Sequence, residues 1–151
     1  MIITFCGHAH FIRTREHEKR LLAFLEQIVG DQPAEMYLGG YGGFDDFAYS
    51  VCKDYKKTHP KIALVFVTPY LITDRDGDLS QRSRASYDAI LYPEIENKPK
   101  RLAILYRNRY MVEKADYVVA YVSHTWGGAY QAYGYAKRKK KTIFNLAESD
   151  E

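Results

Sequence analysis

The chain has 151 residues, 46% apolar and 27% charged, enough for one globular domain with a buried core. A formal net charge of +3 is too small to signal nucleic acid without a concentrated basic stripe, and no apolar run reaches the length of a membrane span. Cys6 and Cys52 have no metal-ligand spacing, and MIITFCGHAH at the start lacks the basic and apolar segments of a secretion signal, so reduced cysteines and a cytoplasmic location are expected.

In chain order, residues 1–6 form a short apolar run closed by Gly7, a predicted strand. Thr14 is placed to cap a helix whose Leu21, Leu22, Leu25, Ile28 and Val29 share one face, stopped by Gly30-Asp31 and Pro33. A second strand, 35–38, runs into Gly39-Gly40-Tyr41-Gly42-Gly43. Phe44, Phe47, Ala48, Val51, Cys52 and Tyr55 then repeat at helical spacing. Residues 61–67 make a third strand ended by Thr68-Pro69, and the polar stretch 74–81 reads as an exposed loop. A short helix over 83–91, broken at Pro93, precedes a connector and a helix over 100–114. The strand 117–122, the helix 127–139 and the strand 142–146 complete the domain, and 148–151 are an acidic tail.

Strands alternate with helices from end to end. The expected fold is therefore α/β: a single Rossmann-like, doubly wound domain with a mainly parallel sheet of about five strands. Ligands of such sheets sit beyond the carboxyl ends of the strands. Four segments reach that edge: Gly7-His8, Gly39 to Asp45, Thr68-Pro69, and Ser123 to Gly128. Three of them are glycine turns, where backbone can approach a ligand closely.

The two larger turns differ in charge. Gly39, Gly40, Gly42, Gly43 and Phe44 lead into Asp45 and Asp46 in a first helical turn, where a phosphate meets like charge. Asp45 instead suits ribose hydroxyls or a base amine as an acceptor, or serves the helix alone. Ser123-His-Thr-Trp126-Gly127-Gly128 carries no acid and offers free helix amides to an anion. Trp126 is placed to stack on a base or to anchor the turn. Arg107 and Asn108 precede the fourth strand, and an arginine there can present paired donors to phosphate. His8 and His10 share a side on an extended strand, yet no third ligand stands near, so no metal is expected. The run 137–141 reads as a solvated helix end with no interleaved aromatic surface for nucleic acid.

GGYGGFDDFAY, VTPY, RNRYM and WGGAYQAYGYAKRKKKTIFNL, in that order, resemble the SLOG superfamily over nearly the whole chain. Those Rossmann-like domains include the LOG phosphoribohydrolases and the DNA-processing DprA proteins, and the resemblance points most closely to the YpsA-like branch. It implies a nucleotide or nucleotide-derived ligand at the strand edge, and a possible homodimer. Arg107, Met111 and Asp116 keep the spacing of the LOG motif, but Ala132 stands where that motif has its glutamate. An oxocarbenium-like transition state wants a carboxylate, so LOG catalysis is not implied. The expectation is a sensor or sequestering module holding a small nucleotide-like molecule, without cofactor. The ligand would lie among Gly7, His8, the Gly39–Asp45 turn, Thr68, Arg107, Asn108, Ser123, Trp126, Gly127 and Gly128. A glycosidase with a relocated acid is the enzymatic alternative. DNA binding of the DprA kind is disfavoured by the small net charge and single domain, and a nucleic-acid-binding module that uses the run 137–141 is the third and least favoured reading.

Overall fold

The computed structural model describes residues 1–70 and 86–148. Six parallel strands form one sheet: β1 Ile2–Gly7, β2 Ala34–Leu38, β3 Ile62–Val67, β4 Ala89–Leu91, β5 Tyr117–Tyr121 and β6 Thr142–Asn145. Their order is β4-β3-β2-β1-β5-β6. The chain winds outward from β1 to β4, then returns beside β1 with β5. That reversal makes the β1/β5 boundary the topological switch point, where open sheets leave a crevice.

Four α-helices lie among the described residues: α1 Arg15–Ile28, α2 Gly43–Thr58, α3 Ala103–Lys114 and α4 Gly128–Arg138. Strand alternation divides the core between the two sheet faces. Ile3 and Phe5 of β1 pack with Leu21 and Leu25 of α1 and with α2. Cys6 of the same strand packs on the other face, with Val112 of α3 and Ala132 and Ala136 of α4. Phe44, Phe47, Ala48, Val51, Cys52 and Tyr55 are all buried, the stripe that their spacing predicts. Each large side chain there contributes about 1.5–3 kcal/mol relative to exposure. The Thr14 hydroxyl accepts from the His17 N–H at 3.1 Å and starts α1 as expected. Both cysteines are free and buried. No helix among the described residues is long and apolar enough to cross a membrane.

One predicted element is corrected. The helix over 83–91 falls partly outside the described residues, and Ala89–Leu91 is instead the sixth strand, at the sheet edge. Asp88 decides this: its carboxylate accepts the Leu64 N–H at 2.7 Å while its own N–H donates to the Leu64 carbonyl at 2.8 Å. Those two bonds, with the parallel pairing of Ala89–Leu91 along β3, hold the segment extended. The predicted loop at 74–81 and most of the acidic tail lie outside the described residues.

Gly7 ends β1 with no room for a side chain. A Cβ there would stand 2.3 Å from Phe44 Cγ, inside a ring with no exposed surface. Gly7→Ala should therefore destabilise the domain by about 1–3 kcal/mol through overpacking, read as a lower urea midpoint with an unchanged slope.

Candidate functional site

A cavity of about 340 Å³ opens at the carboxyl ends of β1 and β5, against α3 and the start of α4. Its floor is Arg107, which is only 4% exposed. One guanidinium nitrogen, Nη1, donates to the carbonyls of Gly39 and Val67 at 3.0 and 2.9 Å. Nε donates to Asn108 Oδ1 at 2.9 Å. Burial lowers the Arg107 pKa, and the nearby Asp45 charge opposes that shift. An arginine remains charged throughout the working range, so this is a fixed cation beneath the cavity.

Asp45 faces the cavity from α2. Its Oδ2 accepts the Tyr41 N–H at 3.0 Å. Burial pushes its carboxyl up to about 6, and the Asp46 charge adds to this, while the Tyr41 bond and Arg107 pull the other way. Asp45 and Arg107 both crowd Gly39, where a Cβ would lie 3.2 Å from Asp45 Oδ2 and 3.3 Å from Arg107 Nη2. No direct ion pair closes between them among the described residues.

The opposite wall is a stack of rings. His8 lies on His124 at 3.6 Å between centroids, and His124 lies on Trp126 at 3.7 Å. The Ser123 N–H donates to His8 Nε2 at 2.9 Å, so neutral His8 carries its proton on Nδ1. Burial lowers the His8 pKa, and His124 adds to the shift. His124 Nδ1 is buried without a partner among the described residues. The stack ends in the indole of Trp126, which is 67% exposed. Asn145 at the end of β6 fixes the loop below: its side chain exchanges hydrogen bonds with the Val122 N–H and carbonyl, each at 3.1 Å.

The two glycine turns at this edge have opposite fates. At α2, the Gly43 N–H donates to the Ala9 carbonyl at 2.7 Å and the Phe44 N–H to His8 at 3.4 Å. The loop after β1 thus plugs that helix N-terminus. At α4, no side chain caps Gly127, no acid stands in the first turn, and nothing lies within 4 Å of a Cβ built on Gly127 or Gly128. Gly127 has a φ of 92°, a conformation that favours glycine. Its open helix end faces the cavity.

Of the predicted site residues, Gly7, His8, Gly39, Asp45, Arg107, Asn108, Trp126, Gly127 and Gly128 line this cavity. Gly40, Gly42, Gly43, Phe44, Thr68 and Ser123 do not. Gly40 and Gly42 take positive φ against Phe66 and Ala9, and Phe44 is core. The Thr68 hydroxyl turns to the Tyr70 backbone. Ser123 acts through its N–H on His8. Tyr41 and above all His124 lie inside the predicted turns without having been singled out, and Phe5, Cys6, Ala9, Ile104 and Ala129 were not foreseen. A polar aromatic two residues before Trp126 was the available signal. Met111 of the LOG-like motif also lines the cavity, whereas Asp116 accepts the Ile2 N–H at 2.8 Å at the far end of β1. His10 lines the cavity too, but β1 stops at Gly7, so strand alternation does not pair it with His8.

The chain matches no protein-family model and no curated protein sequence. Its Rossmann-like α/β fold matches that of solved structures of DNA processing protein A (DprA). The Helicobacter pylori protein, described for its single-stranded DNA binding mode, matches with a TM-score of 0.62 and 17% identity over 96% of this chain. DprA from Streptococcus pneumoniae matches with a TM-score of 0.62 and 13% identity over 95% of this chain. The chain spans 64% and 49% of the length of those two structures. This likeness corrects the expectation of a small-molecule sensor with nucleic acid disfavoured, because the same domain shape serves a protein that binds single-stranded DNA. The structural premise of that expectation falls as well. Tyrosine rings do interleave with the basic run: Tyr133 lies under Lys137, and Tyr135 under Arg138 and Lys139.

Asp45 makes stability depend on pH in a definite direction. Its folded pKa is raised, so the native state binds more protons than the unfolded chain between about pH 4 and 6. Stability should therefore fall as pH rises through that window, by up to about 3 kcal/mol. Asp45→Asn keeps an acceptor for Tyr41 and should flatten the decline and be the more stable protein at pH 7. Urea denaturation across pH 4.5–8 measures both, and parallel pH profiles for the two proteins would refute the assignment.

Proposed function

We propose that the protein binds single-stranded nucleic acid at the carboxyl edge of its sheet. A backbone phosphate sits on the open amides at the start of α4, and a base lies on Trp126. The carrying observation is the His8–His124–Trp126 stack, which ends in an exposed indole beside an unplugged helix N-terminus. Aromatic platforms of this kind take any base, since every base has a π-face. The buried Arg107 charge strengthens the field at the phosphate position without leaving its carbonyls. Asp45 stands across the cavity as an acceptor for a base amine or ribose hydroxyl. The fold shared with the DNA-binding Helicobacter pylori protein supports this reading.

Within the SLOG fold, the GGYGGFDDFAY and RNRYM segments support a place in the YpsA-like branch. The reading takes the protein as cytoplasmic, and its exposed tyrosines leave room for a second copy.

Ala132 is buried against the sheet, so no carboxylate stands at the position of the LOG glutamate. The reading is accordingly one of binding.

Trp126 is the single tryptophan of the chain, so fluorescence excited selectively at tryptophan, beyond the absorption of the tyrosines, reports on this site alone. Short oligothymidylate should quench it, with affinity falling as salt rises. Trp126→Ala should weaken binding by about 1–3 kcal/mol, measured by anisotropy of a labelled oligomer, and Trp126→Phe should restore most of it. A mononucleotide that competes as well as the oligomer, or a Trp126→Ala protein that binds as tightly as the parent, would refute the proposal.

A further inference from the structure

The cations of α3 and α4 are gathered on tyrosine rings. The Arg109 guanidinium lies 5.6 Å from the Tyr106 ring and 5.2 Å from Tyr135. Tyr135 also carries Arg138 at 5.6 Å and Lys139 at 5.5 Å, so one ring collects three positive charges. Lys137 stands 4.3 Å over Tyr133 on the same helix. The rings are half-buried and residues 137–140 are exposed, which sets the charges on the outer surface.

Two acids share the region, and both engage phenols. The Tyr135 hydroxyl donates to Glu113, and the Tyr133 hydroxyl lies 3.5 Å from Glu148. No ion pair joins either acid to Lys137, Arg138 or Lys139 among the described residues. Crowded like charges repel, and a polyanion relieves that repulsion.

A lipid surface fits less well. Interfacial binding needs apolar groups beside the cations, and the exposed Ile104, Trp126 and Tyr130 stand instead at the starts of α3 and α4.

We infer that the face built from Arg109, Tyr135, Arg138 and Lys139 is a second contact surface for the phosphate backbone of single-stranded nucleic acid. It continues a strand anchored at the cavity, and in that respect it rests on the function proposed above. The 11 residues of α4 connect the two places. At about 1.5 Å per residue they lie roughly 16 Å apart, a gap that a strand of a few nucleotides spans.

The test uses the full chain and two oligothymidylates, one of about four and one of about fifteen nucleotides. Lys137→Gln, Arg138→Gln and Lys139→Gln are combined, leaving Lys141, whose ammonium holds the Glu113 and Ala115 carbonyls at 3.0 and 2.9 Å. Melting temperatures first confirm that parent and variant are equally folded. The variant should bind the long oligomer about tenfold or more weakly, with a log–log salt slope shallower by about 2. Quenching of Trp126 by the short oligomer should be unchanged. Equal affinity and equal salt slope for the long oligomer would overturn the inference while leaving the edge site intact. Parent protein that sediments with phosphatidylserine vesicles but ignores the long oligomer would overturn it in favour of a membrane partner. Failure of the short oligomer to quench, with long-oligomer binding still lost in the variant, would retire the edge site and leave this face as the contact.

Discussion

The carboxyl edge of the sheet is held by one buried cation. Arg107 reaches from α3 to the carbonyls that end β2 and β3, closing two strand ends with one guanidinium. A charge this buried is costly unless its donors are met, and hydrogen bonds to a charged group return about 1.5–3 kcal/mol each. The same clamp places a permanent positive charge under the cavity and crowds Gly39, where a Cβ would press on Asp45 and Arg107. Asp45 is the counterweight. It lies near enough to feel the guanidinium but is desolvated, so its carboxyl titrates close to neutrality. Structural closure of the edge and its electrostatics therefore come from the same pair of residues.

From that floor, the chemistry of the mouth follows from which helix N-terminus is left open. Both α2 and α4 begin after glycines with positive φ, at Gly42 and Gly127. The loop after β1 folds over α2 and consumes its first amides with the Ala9 and His8 carbonyls. Nothing folds over α4. Its amides face a cavity walled by the ring stack, so uncapped helix amides and an exposed indole meet at one place. The switch between β1 and β5 supplies the opening, because the crossovers leaving these neighbouring strands diverge to opposite sheet faces.

Local order along the chain was well marked in the residues. The helical stripe from Phe44 to Tyr55, the Thr14 cap and the apolar strands all act over a few neighbours, and they appear as read. The short edge strand was not legible, because two hydrogen bonds exchanged between Asp88 and Leu64, distant in sequence, choose it over a helix. Much of the cavity lining was marked by its glycines and by Arg107. The separation of packing glycines from open ones was not, since Gly43 and Gly128 look alike until Ala9 is seen to lie against only one of them. The charge argument failed for a similar reason. A net charge of +3 counts cations without saying that three of them share the Tyr135 ring.

Periodicity, turn residues and motif order by themselves determined an α/β domain with glycine turns at the carboxyl edge of its sheet, because those signals arise from backbone geometry within one element. Tertiary structure alone decided which amides stay free, which ring stacks on which, and where the cations collect. Those properties depend on atoms brought together from opposite ends of the chain, and burial and Coulomb energy respond to distance in space rather than along the sequence.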